Sequence, residues 1–324
     1  MPILCEMKME ILSNPPMNTQ KPRALITGLR GFTGAYLATA LETQGYEVFG
    51  TAFGKEAPGE RVFYVDLCDR EQIQKVVDQV QPDVVAHLAA ISFVSHGNVE
   101  DIYRINVIGT RNLLEALAQT EKRPKAVLVA SSANIYGNTE GGILTEEQMP
   151  MPANDYAISK LAMEHVARLW MPSLPIFLTR PFNYSGVGQS EQFLIPKIIS
   201  HFKRRDAVIE LGNLDVARDF TDVRLVAQAY SQLLQLAPSG ETFNICSGHA
   251  YTLREIIAMV EELVGYKIDV RVNPAFVRAN EVRLLQGDHS KLQQFLKNDT
   301  SIPLQETLAW MLNEGVITQV GAAA

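Results

Sequence analysis

The sequence predicts an α/β protein: a doubly wound parallel sheet with helices on both faces, and a smaller C-terminal lobe interleaved with it. Three observations carry that prediction. Short runs that are apolar on both faces alternate with helical segments through the first part of the chain, as in a parallel sheet covered on both sides. A glycine cluster, Gly28-Leu29-Arg30-Gly31-Phe32-Thr33-Gly34, separates the first such run from the first helical pattern. The final third has a different texture, yet Phe243–Ile245 still reads as a core strand. The two lobes should therefore interleave.

Residues 1–21 lack useful periodicity and contain the breaker Asn14-Pro15-Pro16, so a disordered extension is expected there. Arg23–Thr27 is the first buried strand, and a helix follows through Leu37 and Leu41. Glu47–Thr51 is the second strand. Gln72–Val80 is an amphipathic helix closed by Pro82, and Val84–Ala89 is again a strand. Val107–Ala118 is helical, Ala126–Ser131 a strand, Tyr156–Leu169 a helix and Ile176–Arg180 a strand. Beyond these, Val208–Leu211 and Ile268–Val272 read as strands, and Leu253–Val264 and Leu304–Leu312 as helices. The expected division is a dinucleotide-binding domain over 22–184 plus 217–247, and a second domain over 185–216 plus 248–318.

Composition excludes several classes. The 324 residues are 47% hydrophobic and 20% charged, enough apolar material for a sizeable core. Lys plus Arg is 29 against 36 Asp plus Glu, a formal charge of -7, with no basic stripe of the kind that binds nucleic acid. Cys5, Cys68 and Cys246 are too few and too scattered for a disulfide framework. No apolar run approaches the ~18 to 20 residues of a membrane span. The first stretch carries Glu6, Lys8 and Glu10 where a signal peptide needs an apolar centre. A soluble cytoplasmic protein is expected, with neither nucleic acid nor membrane as partner. The six histidines have no ligand spacing, so no metal is assigned.

Strand, glycines and helix in that order form the context in which a glycine motif is informative. Bare backbone lets a pyrophosphate approach the helix N-terminus, where N–H groups and the dipole favour an anion. This predicts a Rossmann-type dinucleotide site built on Gly28, Gly31 and Gly34, with Phe32 beside them. The segment ending the second strand, Phe49-Gly50-Thr51-Ala52-Phe53, has no carboxylate for the ribose of NAD. Arg30 either meets a 2′-phosphate or is a solvated surface arginine. The balance favours NADP(H), with NAD(H) open. Asp66, next to Leu67, either accepts from the adenine amino group or caps the turn that follows.

Tyr156 and Lys160 lie four residues apart, on one face of a helix. A phenol with pKa near ~10 needs a nearby positive charge to exchange protons at neutral pH, and Lys160 can supply it. Ser131-Ser132 ends the preceding strand, Asn106 starts the preceding helix, and Pro181-Phe182-Asn183 follows the next strand. With these features the chain resembles the extended short-chain dehydrogenase/reductase family, from about Arg23 to the last helix.

That resemblance implies roles. Tyr156 is the acid/base, Lys160 lowers its pKa and holds the nicotinamide ribose, and Ser132 bonds the reacting oxygen. Leu88, Ala89, Ala90, Asn106 and Pro181 border the cofactor, Asn106 by supporting the active-site backbone; His87 reads as a satisfied strand-end histidine. The stretches Leu211–Asp215, Arg218–Val223 and Arg278–Val282 resemble nucleotide-sugar enzymes acting on GDP-mannose derivatives. By that resemblance Asn213 and Leu214 lie along guanine, Arg218 and Arg278 bind the diphosphate, and Glu281 takes a ribose hydroxyl. Asn183 and Lys197 also fall to the substrate, as does Asn134. Tyr184 stands where related reductases often have His.

The residues after Ser132 separate the reactions. A 4,6-dehydratase of this kind carries a carboxylate two positions on, for proton transfers at C5 and O6. This chain has Asn134, which neither gains nor loses a proton in the working range. The implied reaction is reduction of the 4-keto group of a GDP-4-keto-6-deoxy-hexose by NAD(P)H, giving a GDP-6-deoxyhexose such as GDP-D-rhamnose. The alternatives are a C4 epimerase with tightly bound NAD and, against Asn134, a GDP-mannose 4,6-dehydratase. A homodimer through a four-helix bundle is expected, because the helix from Tyr156 carries more apolar positions than one inward stripe needs.

Overall fold

The computed structural model describes residues 21–54, 59–92, 98–138, 142–277, 282–297 and 300–314. The expected N-terminal extension therefore lies almost wholly outside the described residues. The first half runs β1 (Arg23–Thr27), α1 (Phe32–Thr43), β2 (Glu47–Ala52), β3 (Val62–Tyr64), α2 (Arg70–Val80), β4 (Val84–His87), α3 (Val99–Tyr103), a π-helical turn (Arg104–Gly109), α4 (Thr110–Gln119) and β5 (Ala126–Ala130). After a 3₁₀ turn (Ala133–Tyr136) come α5 (Asp155–Trp170), β6 (Ile176–Pro181), β7 (Asn183–Ser185), α6 (Leu194–Arg204), β8 (Val208–Leu211), β9 (Ala217–Asp222) and α7 (Val223–Leu236). The rest is β10 (Thr242–Ile245), β11 (Ala250–Thr252), α8 (Leu253–Val264), β12 (Asp269–Val272), a 3₁₀ turn (Pro274–Phe276), β13 (Leu284–Leu285), α9 (Ser290–Leu296) and α10 (Leu304–Asn313).

Seven strands form one sheet in the order β10-β6-β5-β4-β1-β2-β3, and every neighbouring pair is parallel. Alternation along each strand sends side chains to two cores. Leu25, Val85, Val127 and Leu178 pack under α2, α4 and α5. Ile26, Ala86, Leu128 and Phe177 pack under α1 and α7. β1 pairs with β2 on one side and β4 on the other. The strand order therefore reverses between β1 and β4, and a crevice opens beyond their C-terminal ends.

The remaining strands build smaller sheets. β8 pairs with β12, and β9 pairs with β7, β11 and β13. Their core, including Ile198, Ile256, Val260 and Leu308, is closed by α6, α8 and α10. α8 starts on a capping box, Thr252 with Glu255, and ends on Gly265 in the left-handed region. The segment 217–247, expected with the large sheet, divides: β9 joins the small sheet, while α7 covers and β10 edges the large one.

Among the expected boundaries that shift, two do so for reasons tied to the site. Β4 ends at His87, two residues early, because Leu88–Ala90 leave the ladder to line the cavity. The helix expected from Val107 begins at Val99, capped by Asn98, and widens at Arg104–Gly109. Asn106 thus sits inside a helical run rather than at its start. A π-helical turn of this kind often marks a functional site.

Candidate active site

The crevice is a cavity of about 610 Å³ between the C-terminal ends of β1, β4, β5 and β6 and the small sheets. Its floor on one side is the glycine loop. Gly28 has φ +75°, and a Cβ there would stand 3.1 Å from the backbone of Ala89. At Gly34 a Cβ would meet the Gly28 carbonyl oxygen at 2.3 Å. Side chains at either position would push the loop off the β1–β4 seam. Gly31 caps α1 without a side-chain bond, and the first turn of α1 carries no acidic residue. Its N–H groups and dipole therefore favour an anion.

Ser132 follows β5 by two residues as the cap of the short 3₁₀ turn, and its Oγ accepts from the Asn134 N–H at 3.2 Å and from Asn134 Nδ2 at 3.1 Å. Asn154 starts α5 by accepting from the Ala157 N–H at 2.9 Å. That cap places Tyr156 in the first turn and Lys160 one turn on, both facing the cavity. The Ser132 hydroxyl lines the cavity with the Tyr156 phenol and acts to lower its pKa. Lys160 Nζ donates to the Ala130 carbonyl at 2.8 Å, which ties α5 to the end of β5.

The electrostatics correct one expectation. Lys160 was expected to lower the pKa of Tyr156, but burial dominates and pushes the phenol up to about 12, with the Ser132 hydroxyl opposing. Burial also brings Lys160 down from its ordinary 10.5 to about 8, against the pull of Glu164. The pair stands with a firmly protonated phenol beside an ammonium that titrates readily.

Behind the cavity runs a fully buried hydrogen-bond chain. Thr110 donates to the Asn106 carbonyl at 2.6 Å, so its oxygen accepts from His87 Nε2 at 2.7 Å. His87 Nδ1 then accepts from Thr27 Oγ1 at 2.7 Å, and Thr27 Oγ1 accepts from the Ala89 N–H at 3.2 Å. Burial drives the His87 pKa down to about 3; it is a satisfied core histidine. Asn106 Oδ1 accepts from the Ile91 N–H at 2.9 Å, and its Nδ2 donates to Ser159 Oγ at 3.0 Å. It does not line the cavity; it braces the loop after β4 against α5.

The other expected residues fall in three groups. Gly28, Gly31, Phe32, Gly34, Leu88, Ala89, Ala90 and Pro181 line the cavity, as do Asn134, Asn183, Asn213 and Arg218. Arg218 also donates to the carbonyls of Ala217 and Arg283. Outside the lining, Arg30 lies 5.0 Å over the Tyr64 ring. Asp66 accepts from the Cys68 N–H and pairs with Arg104 at 3.0 Å, so it caps its turn. The Leu67 and Leu214 side chains are buried in the two cores. Lys197 donates to the Glu210 carbonyl and lies 4.5 Å over Phe276, itself a lining residue. Arg278 and Glu281 lie outside the described residues.

Sequence reasoning gave no individual role to Thr33, Ser131, Gln189, Tyr230 or Phe276, all of which line the cavity. Tyr230 arrives from the middle of α7, where nothing in the helical pattern distinguishes it from core. Ser131 was visible only as the partner of Ser132.

Comparison with known proteins narrows the class. A family model for GDP-mannose 4,6 dehydratase matches residues 25–311. The chain belongs to that family of extended short-chain dehydrogenases/reductases. Among its relatives is GDP-6-deoxy-D-talose 4-dehydrogenase of Aggregatibacter actinomycetemcomitans, 36% identical over 86% of this chain and 92% of that protein. GDP-6-deoxy-D-mannose reductase of Pseudomonas aeruginosa is 30% identical over 90% and 96%. Among solved structures, RMD from Pseudomonas aeruginosa complexed with NADPH matches with a TM-score of 0.78 at 29% identity, over 90% of this chain and 96% of that one. A Burkholderia cenocepacia protein provisionally described as an epimerase reaches 0.85 at 49% identity, over 90% and 97%. UDP-glucose 4-epimerase of Thermus thermophilus in complex with NAD gives 0.80 at 26%, over 90% and 98%. The family's members modify nucleotide sugars on this seven-stranded scaffold, and the Pseudomonas and Thermus structures hold NADPH and NAD respectively. Among the described residues no helix is long and apolar enough to cross a membrane, and none cluster as metal ligands.

Proposed function

We propose that this protein reduces the 4-keto group of a GDP-linked 4-keto-6-deoxy-hexose, giving a GDP-6-deoxyhexose such as GDP-D-rhamnose. The observation that carries the reading is Asn134. The side chain two positions after Ser132 is an amide that donates to the serine hydroxyl, where dehydration would need a group able to carry protons. A bound nicotinamide dinucleotide would supply the hydride, and the residues present fit one: bare glycines at the β1–β4 seam and an uncapped α1 N-terminus.

The chain's own residues do the rest. Ser132 orients the carbonyl oxygen, and Tyr156 delivers the proton to it. The phenol, held up at about 12 by burial, carries its proton at neutral pH. Lys160, held at the Ala130 carbonyl, places positive charge one turn away. NADP(H) is the proposed cofactor, NAD(H) remaining open. β2 ends without a carboxylate, and Arg30 lies over Tyr64 at the end of β3. Arg218, Asn213 and Asn183 supply the polar wall for the nucleotide sugar.

The reading is tested by mixing the protein with GDP-mannose, a separate 4,6-dehydratase and NAD(P)H. Cofactor oxidation is expected with the dehydratase and none without it. Tyr156→Phe should lower the rate by ~10²- to 10⁴-fold. Turnover of GDP-mannose by this protein alone overturns the elimination based on Asn134.

A further inference from the structure

The glycine loop reaches the wall of the sugar pocket through a hydrogen bond at the start of α1. Thr33 Oγ1, in the first turn of α1, lies 2.7 Å from the Tyr184 hydroxyl. The Tyr184 ring is stacked on Phe32, with centroids 6.1 Å apart and planes within 9°. Tyr184 belongs to β7, the three-residue strand that leads from the large sheet into the small ones. Its carbonyl accepts from Gln189 Nε2 at 3.1 Å, and Gln189 in turn lines the cavity. Tyr184 is also near enough to Tyr156 to help raise its pKa.

From this geometry we infer that Tyr184 is a positioning residue that couples dinucleotide binding to nucleotide-sugar binding through Thr33. The inference rests on the nucleotide-sugar reading above. A diphosphate held by the first-turn N–H groups of α1 fixes that turn, and with it the Thr33 hydroxyl. The hydroxyl fixes the Tyr184 phenol, and the phenol fixes the wall from Asn183 to Gln189. A ligand shifts an equilibrium only through contacts that differ between states, and the Thr33–Tyr184 bond is the contact that changes here. A second tie, Tyr36 to the Val187 carbonyl at 2.7 Å, keeps the two lobes docked when that bond is removed.

The test is calorimetric titration with GDP-mannose, without and with saturating NADPH. The ratio of the two dissociation constants measures coupling independently of either affinity, and linkage makes it reciprocal. A wild-type ratio of at least about 5, the lower end of common coupling, is expected. Tyr184→Phe, which keeps the ring and its stack, should bring the ratio to near one. Thr33→Val should do the same, the double variant should go no further, and Thr33→Ser should keep the wild-type ratio. An unchanged ratio in Tyr184→Phe, or a wild-type ratio of one with both ligands bound, overturns the inference alone. Failure of both ligands to bind overturns the nucleotide-sugar reading and the coupling together.

Discussion

Asn134 donates its side-chain amide to the Ser132 hydroxyl at 3.1 Å, and that hydroxyl pulls the Tyr156 pKa down against burial. On the proposed reading, the position that separates dehydration from reduction thus bears, through Ser132, on Tyr156. An amide there leaves the serine proton free for Tyr156 or a substrate oxygen. A carboxylate would compete for that proton.

Asn134→Asp should therefore damage reduction. The new carboxylate accepts from Ser132, and the substrate oxygen loses an oriented donor. A fall in kcat/KM of ~10²-fold is expected, the usual cost of one such donor, with dinucleotide affinity preserved. A steady-state comparison on the 4-keto sugar decides it; a variant as fast as wild type would leave the Asn134–Ser132 bond without catalytic meaning.

Lys160 predicts a pH effect with a defined sign. Its pKa falls from 10.5 to about 8 in the fold, so above pH 8 the folded chain sheds a proton that the unfolded chain keeps until about 10.5. Stability should rise with pH across that window, while the reduction rate falls above pH 8 as the ammonium is lost. Lys160→Met removes both effects. It also removes the cost of the buried charge, on the order of 3 kcal/mol, so the variant should be inactive yet melt no earlier than wild type at pH 7. Thermal unfolding beside activity across pH 6 to 10 reads both.

His87 predicts the opposite limb. Its pKa drops from 6.5 to about 3, so the unfolded chain binds a proton between those values that the native chain refuses. Stability should be lost as pH falls from 6.5 toward 3, by about 2 kcal/mol at pH 5. Denaturant unfolding of wild type and His87→Gln at several pH values checks this. The variant's acid slope should be shallower by one proton, whatever its absolute stability.

A homodimer is expected from the surface of α5, where Ile158 is 42% exposed and Leu169 79%, with Ile108 of the π-helical turn exposed as well. An apolar stripe on a long surface helix seeks a partner. Light scattering should give twice the chain mass for the wild type and the single mass for Leu169→Glu. A single mass for the wild type counts against the bundle.

What could be read from the sequence, and what could not, follows from range. β1, α8 and β8 end where their apolar runs end, and Gly28, Gly34, Tyr156 and Lys160 belong to short motifs whose spacing is their geometry. Asp66 and Leu67 show the opposite. A carboxylate at a strand end suits adenine as well as it suits a turn, and only Arg104, 38 residues away, settles where it points. Resemblance alone places Leu214 along guanine; its own side chain turns into the small core. Tyr230 and the Thr33–Tyr184 bond, which spans 151 positions, depend on how separate elements dock. No local pattern records that.

The central claim is that hydride enters C4 from external cofactor, with no chemistry at C5 or C6. It is tested most directly by supplying GDP-4-keto-6-deoxymannose and cofactor deuterated at the transferring position, then reading the product by NMR. The account predicts one deuterium at C4, none elsewhere, and one cofactor oxidised per product. No product deuterated at C4, with the cofactor left unoxidised beside intact 4-keto sugar, would contradict it.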